Sequence, residues 1–182
     1  MKTPKTVDEF KNYRHAFVHL DQYRNSYLNL ADMCAVWRLN RKVIERDVIK
    51  PFMFEFVQFG GIIINDRDEL ILNAEQSILL MGFIRHLRLF APKHLELIRL
   101  VQIINDKFTF LDGLAPDTEL LYEYAHVSIL MAKKKALIKS GLDEMDAFPI
   151  IRPKAEVSVS RAEKKLQILT TMREKLEDRL FA

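Results

Sequence analysis

The stretch FMFEFVQFGGIIINDRDELILNA, residues 52–74, is where the helical pattern of the chain gives way to a different one. Aromatic and β-branched residues are concentrated in it, and the polar run at residues 66–69 divides it. Apolar runs on either side of a polar turn are typical of two short strands joined by that turn. We therefore predict a small β-hairpin near residues 54–73.

Outside this stretch, apolar residues recur at steps of three and four, which is the period of amphipathic helices. Asn73 is a helix cap, Pro51 and Pro92 end helices, and Gly141 ends another in a left-handed conformation. The fold class predicted is mainly α, a helical bundle of about six helices, with two related helical-hairpin units as one arrangement. The helices are expected at about residues 7–28, 29–50, 73–91, 93–108, 117–140 and 157–181.

The clearest break between helical segments is the turn sequence DGLAPD at residues 112–117. It predicts an N-terminal helical unit with the hairpin at residues 1–111 and a C-terminal helical unit at residues 112–182. With an offset of 88, Ala74 aligns with Ala162 and Ile78 with Leu166. An internal repeat would explain this match, and so would the chance agreement of two amphipathic helices.

Composition indicates an ordinary globular protein, because 49% of the 182 residues are hydrophobic and 29% are charged. No secretory signal and no apolar run of membrane-spanning length is present, which predicts a cytoplasmic protein without a membrane partner. With 5 glycines, the chain has neither a phosphate-binding loop nor a dinucleotide motif. We expect no enzyme activity, cofactor, catalytic residue or metal site, and we expect Cys34 to be a buried hydrophobe.

Charge is distributed unevenly along the chain. Residues 1–50 hold 10 Lys and Arg against 6 Asp and Glu, residues 51–130 hold 6 against 11, and residues 131–182 hold 12 against 8. The basic ends contain three clusters at helical spacing, which are either solvated helix faces or contacts to the phosphates of DNA. The candidate DNA-binding residues are Arg38, Arg41, Lys42 and Arg46 in the first cluster, Lys133, Lys134, Lys135 and Lys139 in the second, and Arg161, Lys164 and Lys165 in the third.

Two further interpretations are open. Residues 30–48 can form a helix-turn-helix with its turn at residues 39–41 and a recognition helix at residues 41–49, as in a transcription or replication regulator. Alternatively, Phe52, Phe54, Phe56 and Phe59 form a subunit interface rather than part of the core, as in a helical adaptor that binds no nucleic acid.

The segment GGIIINDRDELILNA at residues 60–74, between a long helix and an amphipathic helix with Arg85 and Arg88, resembles the small subunit of phage terminase. Residues 120–141 and 154–166 look like a looser version of the same scheme. The resemblance covers residues 28–90 and 117–175. Ala74 stands where such proteins commonly have proline, and residues 51–59 look like an insertion.

The resemblance implies an all-helical, oligomeric and often ring-shaped DNA-recognition protein without an active site. Such a protein brings viral DNA to a large ATPase and nuclease subunit in genome packaging. The partners that it implies are double-stranded DNA, further copies of the chain and a large terminase subunit, in the cytoplasm of a host cell. The acidic middle of the chain is then a candidate docking surface.

Overall fold

Six helices and four short strands account for most of what the computed structural model describes, which is residues 18–20, 26–37, 39–61, 63–64, 68–89, 117–147, 150 and 152–182. The prediction of a mainly helical protein is confirmed. The helices are α1 Leu30–Trp37, α2 at residues 41–49, α3 Met53–Gln58, α4 Ala74–His86, α5 Thr118–Ala147 and α6 Arg152–Leu180. The strands are β1 Val18–Leu20, β2 Ser26–Asn29, β3 Ile63–Ile64 and β4 Leu70–Leu72.

The chain divides into two compact units, Met1–Tyr122 and Glu123–Ala182. The boundary predicted between residues 111 and 112, and the helix predicted at residues 93–108, lie outside the described residues. The internal repeat stays a prediction.

The predicted hairpin is present but shorter than residues 54–73. β3 and β4 pair antiparallel, with Ile63 opposite Ile71 and Ile64 opposite Leu70. The preceding residues form helix α3 instead of a strand, because Phe52, Phe56 and Phe59 recur at helical steps and are buried. The Phe52 ring stacks on Phe83 of α4 at 4.3 Å between ring centroids.

The helix predicted at residues 7–28 is wrong where the structure describes it. β1 and β2 lie there and extend the hairpin into an antiparallel sheet of order β1-β2-β4-β3. β2 pairs with β4 through Leu28 opposite Leu72 and Asn29 opposite Ile71. Pairing with a strand more than 40 positions away overrides the local helical period.

The helix predicted at residues 29–50 is two helices rather than one. α1 ends at Trp37, and Asn40 then caps α2 by accepting hydrogen bonds from the backbone nitrogens of Lys42 and Val43. α2 begins as an α-helical turn over Arg41–Ile44 and continues as a π-helical turn over Glu45–Ile49. Asn is a residue that favours such a helix start, which explains the break.

The start of α4 joins three elements of the first unit. Asn73 caps the helix as predicted, and the Asn73 and Gln76 side chains form a reciprocal capping box. Gln76 is buried, and its amide donates to the carbonyl oxygens of Phe56 at 2.9 Å and Gly61 at 2.5 Å. Gly60 has a φ of 124° and passes so close to Asn73 that a Cβ would lie 2.6 Å from Nδ2, which requires glycine there.

The second unit is an antiparallel pair of helices, the rest of α5 and α6. Met145, Ala155 and Val159 form its core near the connection. Towards the other end, the Tyr124 hydroxyl donates to Glu177 at 3.1 Å, and Arg173 donates to the same carboxylate at 2.8 Å. The two helices are therefore held together near both ends.

Gly141 does not end α5, contrary to the prediction. The helix continues to Ala147, and Gly141 instead lets α6 approach closely, because a Cβ there would lie 2.5 Å from Cγ2 of Val159. α6 begins at Arg152 rather than near residue 157. Pro153 lies in its first turn, where its missing N–H removes no helical hydrogen bond.

Candidate nucleic-acid interface

The first basic cluster lies on α2 and is largely paired with acids of the same helix. Arg41 Nε lies 2.6 Å from Glu45 Oε1. Arg46 binds Asp47 through two hydrogen bonds of 2.5 and 2.7 Å, and these bonds lower the pKa of the Asp47 carboxyl. Lys42 is exposed, and Arg38 lies outside the described residues. Phosphates would have to compete with carboxylates for two of these cations.

The second and third clusters meet in the second unit. An open cleft of about 720 Å³ lies between α5 and α6, and Lys134 and Leu137 line it from α5. Sequence distance hid this proximity, since 27 positions separate Lys134 from Arg161. The antiparallel packing of the helices brings them to one cleft. Its α6 wall consists of Lys154, Val157, Ser158, Arg161, Ala162, Lys164 and Lys165.

The five cations of this cleft are not neutralised within the part of the chain that the structure describes. No carboxylate there lies within 4.0 Å of Lys134, Lys154, Arg161, Lys164 or Lys165. Four acids of α6, at positions 156, 163, 174 and 178, recur at steps that place them together on another side of the helix. Lys154, Arg161 and Lys165 therefore lie on a different side of α6 from these four acids.

Not every candidate of the second cluster lies in the cleft. Lys133, Lys135 and Lys139 are exposed on α5 but do not line it. Lys154 lines it and was not predicted. It follows Pro153, and a helix that starts at residue 152 places Lys154 one turn before Val157 and Ser158. The last helix was predicted to begin only at about residue 157, and Pro153 in its first turn was the signal that could have identified the earlier start.

The second unit also carries the net charge of the chain. Residues 123–182 hold 12 Lys and Arg against 9 Asp and Glu, whereas residues 1–122 hold 16 of each. The cleft, with five cations in its lining, therefore lies in the more basic unit, and its field attracts polyanions.

Two titratable groups of the first unit have strongly shifted pKa values. Burial raises the pKa of the Cys34 thiol to about 12, and Cys34 is 1% exposed, which confirms it as a buried hydrophobe. Burial also raises the pKa of Tyr122 to about 12, and the Arg85 guanidinium lies over its ring at 5.4 Å. Both groups stay protonated at neutral pH and are suited to packing rather than to proton transfer.

The described helices include none that is long and apolar enough to cross a membrane. In the same residues, no three His, Cys, Asp or Glu side chains are placed to hold a metal ion together.

Comparison with known proteins leaves the site to be interpreted from its own chemistry. No protein family, curated protein or solved structure was found to match the chain.

Proposed function

We propose that this protein binds double-stranded DNA through the basic cleft of its second unit. The observation that carries the proposal is the convergence of five cations, from two helices, around one cleft without a carboxylate partner in the described residues. Lysine and arginine side chains in such a field bind backbone phosphates and release counterions from DNA.

The cleft is a better phosphate site than the first basic cluster on α2. A cation that already has a carboxylate partner must lose that ion pair before it can gain a phosphate, so its net contribution is small. Arg41 and Arg46 are in that position, and the cleft cations are not. The first cluster then makes secondary contacts, mainly through Lys42.

The test removes one cation from each wall of the cleft. Lys134→Gln combined with Arg161→Gln leaves the fold intact, because neither side chain is in the core, and weakens binding of a 30-base-pair duplex by about tenfold at low salt. Fluorescence anisotropy measures the affinity.

The matched control is Arg88→Gln combined with Arg152→Gln, two exposed cations outside the cleft. It changes the net charge by the same amount and leaves the affinity within about twofold, because neither side chain lines the cleft and Arg152 already has Glu156 as a partner. If both variants lose the same amount of DNA affinity, the loss is due to net charge alone and the cleft is not the binding site.

The biological setting that we propose is viral genome packaging, with this chain as a terminase small subunit. Its support is the resemblance of residues 28–90 and 117–175 to such subunits. In that setting the chain assembles into a homo-oligomer, binds viral DNA and recruits or regulates a large ATPase and nuclease subunit. Its mass in solution, measured alone and with duplex, tests this role, because a monomer in both conditions contradicts it.

A second candidate function is that of a helix-turn-helix regulator. Its support is the break between α1, which ends at Trp37, and α2, which begins at Arg41. Lys42 and Arg46 on α2, and Lys50 directly after its end, lie at steps of four and are all exposed. In this case sequence-specific base contacts come from Arg41, Lys42 and Arg46, and affinity would differ strongly between duplexes of different sequence.

A further inference from the structure

The basic side of α6 also carries aliphatic side chains that phosphate binding does not use. Val157 is 52% exposed, Ile168 is 61% exposed and Met172 is 41% exposed. Together with Arg161 and Lys165 they occupy positions 157, 161, 165, 168 and 172, whose steps of three and four place them on one side of the helix. We call these five residues the mixed stripe.

The mixed stripe continues the cleft along the helix. Val157, Arg161 and Lys165 line the cleft, and Leu137 of α5 faces it with an exposure of 54%. A phosphate backbone contacts cations, but it offers nothing apolar to Leu137, Val157 or Ile168. Exposed aliphatic groups that recur along one groove are typical of a protein docking surface, whereas isolated ones are ordinary.

We infer that the cleft and the mixed stripe are a docking surface for an acidic amphipathic helix of a partner protein. An amphipathic helix in a groove places its apolar stripe on the floor and its flanking charges at the rims. Here Leu137, Val157 and Ile168 would receive the apolar stripe. The cleft cations that lie beside these aliphatic groups require carboxylates on the partner, so charge complementarity selects an acidic helix.

The dimensions fit this occupant. Residues 157 to 172 of α6 span about 22 Å, which is the length of a partner helix of about 15 residues. A cleft between two packed helices is concave and admits a third helix, whereas a lipid surface is flat and favours a convex apolar side.

Because this surface includes the proposed DNA site, the partner helix would displace DNA. That consequence rests on the proposed function, whereas docking of the helix does not. An acidic helix that occupies the cleft neutralises the same cations that the phosphates need, so the two ligands bind competitively.

The experiment uses a synthetic 16-residue peptide with leucines on one side of its helix and glutamates on the other positions. A peptide of the same composition with its leucines spread around the helix is the control ligand. The full-length protein binds the amphipathic peptide at least about tenfold more tightly than the control, by fluorescence anisotropy. If the two peptides bind equally tightly, charge alone explains the interaction and the proposal is overturned.

Protein variants separate this surface from the DNA site. Ile168→Gln combined with Met172→Gln keeps every cation and alters no residue that lines the cleft. It lowers peptide affinity about tenfold and leaves duplex affinity unchanged. Leu142→Gln combined with Phe181→Gln alters two exposed apolar residues outside the stripe and leaves both affinities unchanged. If the stripe variant loses no peptide affinity, the surface is not the docking site.

Three further outcomes are informative. If the amphipathic peptide binds and duplex does not, the docking surface stands and the proposed function alone fails. If the stripe variant lowers the mass of the protein in solution, a second copy of the chain is the occupant and the partner helix is wrong. If the protein binds vesicles that contain phosphatidylserine but not the peptide, the surface is a membrane site and the proposal fails.

Discussion

Gly141 is the residue on which the spacing between α5 and α6 depends. The Cβ of an alanine there would lie 2.5 Å from Val159 Cγ2, far inside van der Waals contact. Valine in a helix has one strongly preferred rotamer, so the methyl group cannot turn aside cheaply. The close approach of these helices, and with it the shape of the adjacent cleft, therefore requires a residue without a side chain.

Gly141→Ala consequently tests two opposing effects. Alanine in a helix interior raises the free energy of unfolding by about 1 kcal/mol relative to glycine. Overpacking lowers it by about 1–3 kcal/mol. We expect a net loss of about 1 kcal/mol in the free energy of unfolding, measured by urea denaturation.

The control for this variant is the Val159→Ala background. With the methyl groups gone, Gly141→Ala meets no obstacle and stabilises the protein by about 1 kcal/mol through helix propensity alone. A stabilising Gly141→Ala in the unaltered protein would show that α5 and α6 are not in close contact there.

At the scale of elements, the start of α4 connects α3, the segment that leads into β3 and the helix itself. One buried side chain makes the connection, because Gln76 donates to Phe56 and Gly61 and accepts from the Asn73 backbone nitrogen at 3.1 Å. Without Gln76, the Gly61 carbonyl would lose this donor and the Phe56 carbonyl would keep only the backbone N–H of Phe59, at 3.2 Å. A carbonyl group left without a hydrogen bond in the interior costs about 1–3 kcal/mol.

Gln76→Glu keeps the shape of the side chain and removes its donors. At neutral pH a carboxylate would face two carbonyl oxygens, and we expect the free energy of unfolding to fall by about 3 kcal/mol. This environment raises the pKa of the carboxyl in the folded state above its unfolded value. The loss is therefore complete above the folded pKa and shrinks as the pH falls towards the unfolded pKa, because the protonated acid donates a hydrogen bond.

Urea denaturation at pH 7 and pH 5 measures this difference. Gln167→Glu on the exposed surface of α6 is the control and changes stability little at either pH. A Gln76→Glu variant that is as stable as the parent at pH 7 would contradict the hydrogen bonds assigned to this side chain.

The elements that the sequence predicted are those with local causes. Asn73 and Gln76 stand at the spacing of a capping box, and the long apolar period of α5 needs no distant partner. β1 and β2 were missed because a strand depends on pairing: β1 pairs with β2, and β2 pairs with β4, which lies more than 40 positions along the chain. α3 was missed because four phenylalanines in eight residues, three of them at alternate positions, favour a strand. The three that are buried, Phe52, Phe56 and Phe59, recur at helical spacing.

The cleft was predictable only in part for the same reason. The clusters at Lys134 and Arg161 follow from the sequence, since each is a local run of cations. Their meeting depends on the packing of α5 against α6, which Gly141 and Val159 set. The carboxylate partners of Arg41 and Arg46 are one to four positions away, and helical spacing alone could have indicated the pair with Glu45.

At the scale of the whole molecule, the net positive charge lies in the second unit, because the first unit holds equal numbers of acidic and basic residues. In the proposed DNA complex, long-range attraction would bring the second unit to the duplex first, since the field of a balanced unit decays over shorter distances. Salt would then act on the proposed binding mainly through the cleft.

The dependence of DNA affinity on salt measures how many cleft cations contact phosphates. Each contact contributes about −0.9 to the slope of log K against log salt concentration, and the cleft is lined by Lys134, Lys154, Arg161, Lys164 and Lys165. We expect a slope of about −3 to −5 between low and moderate salt. Lys134→Gln combined with Arg161→Gln reduces its magnitude by about 2, whereas Arg88→Gln combined with Arg152→Gln leaves it unchanged. A slope near zero, or one that the cleft variant shares with its control, would mean that DNA does not use these cations, because phosphate binding cannot occur without counterion release.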